Sequence, residues 1–288
     1  MAETSLVPVA DKIVTRGEVR LQTQAFGSPA EPPVLLITGV MSSMLWWPED
    51  FCRQLAGSCR HVIRYDHRDT GLSTQYPPGQ PGYTFADLTT DALAILDGYG
   101  LASAHVVGMS MGGFIAQDIA LRYPSRLRSL SLISTSPVGV EGLPPPTEAY
   151  QRHSAASEAI DWSDLGAVAA FMERDVAMLA GTRHPHDAAA ARALIARDMA
   201  RSPSFASAAN HFILPGGDIG AALHASRIAA PVLAIHGTSD PLFPLGHGEA
   251  ITRLLPMARS LWIEGGGHEI HELDIPEVAQ AVLEHTAA

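Results

Sequence analysis

Between His105 and Gln117 the chain reads HVVGMSMGGFIAQ: a short apolar run, a serine set between glycines, then the start of a helix-like run. Gly108-Met109-Ser110-Met111-Gly112 fits G-x-S-x-G. Between a strand and a helix, that pattern marks a turn so sharp that small residues are needed on both sides of the nucleophile. It projects the Ser110 oxygen from a sheet edge at a helix N-terminus and aims the Met111 N–H at a developing oxyanion. The plainer alternative is a glycine-rich turn that only joins two core elements.

A serine hydroxyl is a poor nucleophile until a base removes its proton. Thirteen histidines compete for that role, and position chooses among them. In the chain order serine, acid, histidine, the base follows the last strand. LWIEGGGHEIH places His268 there, on a glycine-rich loop expected to be flexible enough to swing its imidazole to Ser110. His271 is the near rival, past the glycines and entering the next helix, whereas His67, His105 and His236 read as packing or surface residues. The imidazole in turn needs a carboxylate to hold its tautomer and stabilise its charge. Asp240, in VLAIHGTSDPLFP, satisfies the order; Glu141, in STSPVGVE, is the competing acid and falls several residues late. The loop ITGVMSS offers the amides of Gly39 and Val40, and Val40 is the expected second oxyanion donor beside Met111.

The elements that must position these groups are legible as apolar runs. VLLI (34–37), HVIRY (61–65), HVVG (105–108), LSLI (130–133), VLAI (232–235) and LWI (261–263) are nearly continuous in apolar residues, as strands covered on both faces of a parallel sheet are. IVTRGEVRLQT turns at Gly17 and alternates at Val19, Leu21 and Thr23, predicting an antiparallel hairpin on the sheet edge. Pro48 fits the first turn of a helix running toward Gly57, Thr84 with Asp87 resembles a capping box, Gly98 or Gly100 ends that helix, and Pro276 opens the last one. Alternating strands and helices predict an α/β doubly wound sheet for 1–136 and 229–288. From 137 to 228 there is no convincing strand, only a proline-rich entry and alanine-rich amphipathic stretches, so this part reads as a helical lid laid over the C-terminal edge of the sheet. A packed helical subdomain without a substrate role is the alternative.

Composition removes other classes of function. With 30 acidic and 19 basic residues the formal charge is −11, which argues against nucleic acid or an anionic membrane as partner and for a small neutral or hydrophobic ligand. Lys12, near the N-terminus, is the only lysine, so Schiff-base and P-loop chemistry have almost nowhere to come from. No G-x-G-x-x-G follows the early strands, HEIH lacks the i, i+4 spacing of a helical zinc site, and His184-Pro185-His186 is too isolated to supply three ligands; no cofactor or metal is expected. Cys52 and Cys59 suit buried positions better than a disulfide. The opening MAETSLVPVADK has neither a basic start nor an apolar core segment, and no run of eighteen apolar residues occurs, so the expected location is cytoplasmic.

On these residues the chain resembles the α/β-hydrolase superfamily over nearly everything outside 137–228. RYDHRDTGLS (64–73) is similar to its D-x-R-G-x-G-x-S segment, with Asp69 where glycine is common, and many members carry His-Gly where this chain has Thr38-Gly39. Together with TTDALAILDGYGLASAHVVGMSMGG and GGGHEI, the segment looks most like the aclacinomycin methylesterase group, which cleaves a methyl ester from a polyketide. The resemblance puts the nucleophile, acid and base of that group on Ser110, Asp240 and His268, and gives 66–73 a bracing role. Ser110 stands where dehalogenases and epoxide hydrolases of the superfamily carry aspartate, which excludes their chemistry.

The expected activity is therefore cofactor-independent hydrolysis of a carboxylic ester through an acyl-enzyme. Met41, Trp46, Trp47, Met109, Phe171, Met172, Phe205, Phe212, Leu242 and Phe243 are candidates to line an apolar pocket for a bulky acyl or aromatic group, with core packing as their other use. The same triad serves lactonases, carbon–carbon bond hydrolases and cofactor-free perhydrolases. A non-catalytic ligand receptor of this fold is the alternative from another class. Oligomeric state is not legible.

Overall fold

The computed structural model describes residues 9–215 and 224–287. Most of the opening stretch and the part of the expected lid at 216–223 lie outside the described residues. The strands are β1 (Val9–Arg16), β2 (Val19–Phe26), β3 (Pro33–Ile37), β4 (His61–Tyr65), β5 (Ala104–Met109), β6 (Leu127–Ile133), β7 (Val232–Gly237) and β8 (Arg259–Ile263). They form one sheet in the order β1-β2-β4-β3-β5-β6-β7-β8. β1 and β2 pair antiparallel as a hairpin, β2 pairs antiparallel with β4, and every later pair is parallel. All residues of β3, β4 and β7 are buried, which is why these strands are continuously apolar.

Helices α1 (Glu49–Gly57) and α8 (Ile275–His285) cover one face of the sheet. α2 (Phe85–Gly98), α3 (Met111–Arg122) and α7 (Gly246–Leu254) cover the other. The Asp87 carboxylate accepts the Thr84 N–H at 2.9 Å, so the acid half of the expected cap is in place. Pro276 lies in the first turn of α8, as expected, while Pro48 precedes α1 as its cap residue. Cys52 is buried within α1, but Cys59 is exposed: after the helix the chain takes φ of +59° at this position, which turns the thiol outward.

Between β6 and β7 lie α4 (Glu148–Ala155), α5 (Leu165–Leu179) and α6 (Ala188–Arg201), with 3₁₀ turns and no strand among the described residues. Asp164 and Asp187 cap α5 and α6, each accepting two amides of the first turn. Val168 and Met172 of α5, Ile195 of α6 and Phe205 pack with Met41, which follows β3. The segment thereby rests on a loop at the C-terminal edge of the sheet. No described helix is long and apolar enough to cross a membrane.

Candidate active site

The strand order reverses at β3: the chain leaves it for β4 on one side, then returns past it to β5 on the other. Open α/β sheets bind ligands in the crevice at such a point. The loop after β3 and the turn after β5 meet there. Ser110 caps α3 with φ of +53° and ψ of −121°, a conformation rare for a residue with a side chain, and one that sites of chemistry hold at a cost in strain.

The neighbouring glycines explain how the turn fits. A Cβ on Gly108 would strike the carbonyl of Gly112, one on Gly112 the carbonyl of Ile37, and one on Gly113 would lie 2.6 Å from Thr135 Cβ. Close approach of β3, β5 and α3 therefore requires bare backbone at all three. Gly39 lies beside the serine without such crowding: a Cβ there would sit in ordinary contact, 3.8 Å from Ser110 Oγ. Among the described residues the Val40 and Met111 amides donate no hydrogen bond, whereas the Met41 amide is taken by His211 Nδ1 at 3.1 Å.

Asp240 follows β7 and His268 follows β8, and parallel pairing puts both ends at the edge where β5 delivers Ser110. His268 Nδ1 donates to Asp240 Oδ2 at 2.8 Å. Its Nε2 has no bonding partner among the described residues. Asp240 Oδ1 accepts the amides of Leu242 and Phe243 at 2.9 and 2.8 Å. Burial pushes the Asp240 carboxyl upward, but the His268 charge and hydrogen bond, His236 and the Phe243 amide together outweigh it and hold the carboxyl below the usual range. His236, which sequence alone assigned to packing, donates from Nε2 to the Phe243 carbonyl at 2.7 Å and lies 3.5 Å from Asp240 Oδ2. Burial lowers its pKa, so it braces the acid loop as a neutral ring. Glu141 and His271 are not part of this arrangement: His271 stacks on His184, 4.5 Å between ring centres.

The glycine loop carrying His268 is pinned, contrary to the expected flexible swing. His268 N–H donates to Leu179 O at 2.9 Å, and the amides of Thr182 and Arg183 donate to Gly265 O at 2.6 and 2.9 Å. Glycine is needed because a Cβ on Gly267 would strike Leu179 and Gly181, so the residues serve close packing rather than motion.

The pocket candidates divide. Met41, Met172 and Phe205 are buried together, and Trp46 packs on them while its indole N–H donates to Asp198 at 2.7 Å. Phe171 is buried against His153, and the Phe243 ring lies 5.6 Å from His268 and 6.1 Å from Phe114, with Leu242 half-buried beside it. Trp47 does not join them; the 3₁₀ turn at 44–46 ends at Trp46, and Trp47 leaves it in extended backbone and stacks on Phe51 in the core beneath α1. Met109 packs toward that same core, and Phe212 is 62% exposed.

Two further buried histidines flank the loop after β3: His67, which the sequence reads as a packing or surface residue, and His211, to which it gives no role. His67 Nε2 donates to Thr38 O at 3.1 Å and His211 Nε2 to Arg68 O at 2.8 Å, with the two rings edge to face at 5.8 Å. Burial drives both down, His67 to about 3 with help from His211, and His211 to about 4. As neutral rings they hold the loop that carries Val40. No local pattern marks them, since 143 residues separate His211 from the Arg68 carbonyl it grips.

The 66–73 segment braces this region. Asp66, fully buried, accepts the Met44 and Leu72 amides and a bidentate pair from Arg201 at 3.0 and 2.7 Å. Asp69 takes φ of +65°, the conformation in which glycine is at ease and aspartate is tolerated, and its carboxylate accepts from Tyr76, Tyr83 and Asn210.

A model of the alpha/beta hydrolase fold family matches residues 32–274. The rhodomycin D methylesterase DauP of Streptomyces sp. (strain C5) is 32% identical over 296 residues, covering 96% of this chain and 98% of its own. DnrP of Streptomyces peucetius, also a rhodomycin D methylesterase, is 32% identical with the same coverage. A hydrolase of Pseudomonas aeruginosa PA01 superposes with a TM-score of 0.72 at 27% identity, over 96% of this chain and 98% of the other.

Proposed function

The chain belongs to the α/β-hydrolase fold family, and from that premise we propose that it is a serine-dependent carboxylic ester hydrolase acting through an acyl-enzyme. The observation that carries the reading is the Asp240–His268 hydrogen bond at the same sheet edge as Ser110 on its strained turn. Asp240 fixes the Nδ1–H tautomer of His268, leaving Nε2 to accept a proton.

His268 takes the Ser110 proton as Oγ attacks the ester carbonyl, and the negative charge forms on the former carbonyl oxygen. The amides of Val40 and Met111, which have no other acceptor among the described residues, receive that oxygen. The intermediate collapses with loss of the alcohol, which leaves with the proton held by His268. Water, deprotonated by the same histidine, then attacks the acyl-enzyme and releases the acid.

The segment 137–228 acts as a lid over the sheet edge. Its contacts with Met41 and with the His268 loop support this. The likeness to two methylesterases and the aromatic surfaces of Phe171 and Phe243 favour a methyl ester of a bulky aromatic or polyketide-like acid. A fluorophosphonate probe should label Ser110 in the folded protein, and p-nitrophenyl esters should be hydrolysed. Absence of labelling, or turnover of a diketone with silence on every ester, would overturn the proposal.

A further inference from the structure

Beyond His268 stands a second polar group that the reaction above does not use. Thr147 N–H donates to Pro241 O at 2.8 Å, which fixes the start of α4 to the loop of Asp240. α4 then presents Tyr150 and His153. On the other side His268 N–H donates to Leu179 O, four residues after Asp175, so the face of α5 that carries Asp175 continues onto the His268 loop. Phe171, four residues before Asp175, stacks on His153 with 4.8 Å between ring centres and 6° between planes.

Asp175 Oδ1 accepts from His153 Nε2 at 3.0 Å and from the Tyr150 hydroxyl at 3.3 Å. Oδ2 has no partner among the described residues, and the side chain is 28% exposed. Burial raises the Asp175 carboxyl, offset in part by His153, Tyr150 and the nearby His268. Burial and Asp175 hold the Tyr150 phenol protonated, with Asp240 close enough to contribute. A half-buried carboxylate with one oxygen engaged and the other open to solvent can accept a further donor.

Resting on the ester-hydrolase reading, we propose that Tyr150, His153 and Asp175 form a substrate-recognition site beside His268 that takes a hydrogen-bond donor, a protonated amine or a hydroxyl, carried by the ester. Asp175 Oδ2 receives the donor, and Phe171 with His153 supplies a flat wall for the ring bearing it. Tyr150 and His153 hold the carboxylate in place from behind. An ester that covers Asp175 when bound but lacks the donor takes water from Oδ2 and leaves it unpaired, and discrimination of this kind is large.

The test uses methyl benzoates carrying aminomethyl, hydroxymethyl or ethyl at the 3- or 4-position, which are matched in size and differ in donor. The full-length protein should favour at least one aminomethyl or hydroxymethyl ester over its ethyl counterpart by tenfold or more in kcat/KM. Asp175→Asn, which keeps shape and an acceptor oxygen, should cut the aminomethyl-to-ethyl ratio tenfold and the hydroxymethyl ratio less. Equal rates within every matched set, or an Asp175→Asn variant that slows all three esters alike, would overturn the site. Binding of the same compounds to Ser110→Ala, with and without Asp175→Asn, reads the preference by calorimetry without turnover. If no ester is hydrolysed, the ester reading fails by itself, and a donor preference of the Ser110→Ala protein that Asp175→Asn abolishes still supports the site, while its absence sinks it.

Discussion

β3 and β7 bury every residue they contain, whereas α4 buries none and α6 buries only Ile195 and Asp198. The sheet is held by apolar area removed from water. The segment across its edge adds to its small apolar cluster around Met41 a set of specific polar points: Arg201 on Asp66, Trp46 on Asp198, Asn210 on Asp69, His211 on Met41 and Arg68, and Leu179 under His268. Apolar burial is non-directional and tolerates exchange among similar side chains. A buried charge or amide loses its partner with a single substitution. These anchors hold the segment against the loops at the C-terminal edge of the sheet.

The largest break in the comparison removes chemistry from the sheet without touching the anchors. Ser110→Ala should lower kcat on a p-nitrophenyl ester by roughly 10⁵ to 10⁶-fold. The variant should unfold no more easily than the parent in urea, because a strained position loses only a hydroxyl. Turnover within a hundredfold of the parent would place the nucleophile elsewhere.

Acid should attack the junction between the two regions. His67 and His211 titrate at about 3 and about 4 in the folded chain, against about 6.5 when unfolded. As pH falls, the unfolded chain takes up these protons first, so stability is intact above 6.5 and drains away as pH approaches 4 and then 3. At about 1.4 kcal/mol per pH unit, each ring accounts for up to roughly 3 kcal/mol between pH 6.5 and 4. Melting temperature against pH should show the decline, and the double substitution of both histidines by glutamine should flatten it. An unchanged slope in that variant would locate acid sensitivity outside the junction.

Removing one anchor is the next smaller effect. Arg201→Ala leaves the Asp66 charge buried with two backbone amides as its remaining hydrogen-bond donors, and should cost about 3 kcal/mol in urea unfolding. A loss under about 1 kcal/mol would mean that Ile195 and its apolar neighbours hold α6 unaided. At the low end, Arg253→Ala breaks the exposed pair with Glu249 within α7, 3.5 Å apart, and should change stability by no more than about 0.5 kcal/mol. A comparable cost for the two substitutions would erase the distinction between buried and surface pairs.

The strands of the sheet were legible because residues covered on both faces must be apolar whatever lies above them, and the stretches VLLI, HVVG and VLAI say so locally. The helix starts at Thr84 and Pro276 were legible for a similar reason, since a cap acts within one turn. Trp47 and Phe212 were not. Whether an aromatic points to core, cleft or water depends on which element arrives beside it, and Trp46 and Trp47 differ only in that. The triple glycine at 265–267 looked like a source of motion, but its purpose is visible only once Leu179 and Gly181 lie against it.

By itself the sequence determined the alternation of elements, the sharp turn at Ser110, and the chain order of Ser110, Asp240 and His268, because each rests on local stereochemistry or on chain order. Tertiary structure alone decided that Asp240 meets His268, that His67 and His211 clasp the loop of Val40, and that Asp175 is left with an open oxygen beside the site. Those contacts join residues 28, 170 and 22 positions apart in the chain. Sequence neighbours do not constrain such separations; the register of parallel strands and the packing of helices over their ends do.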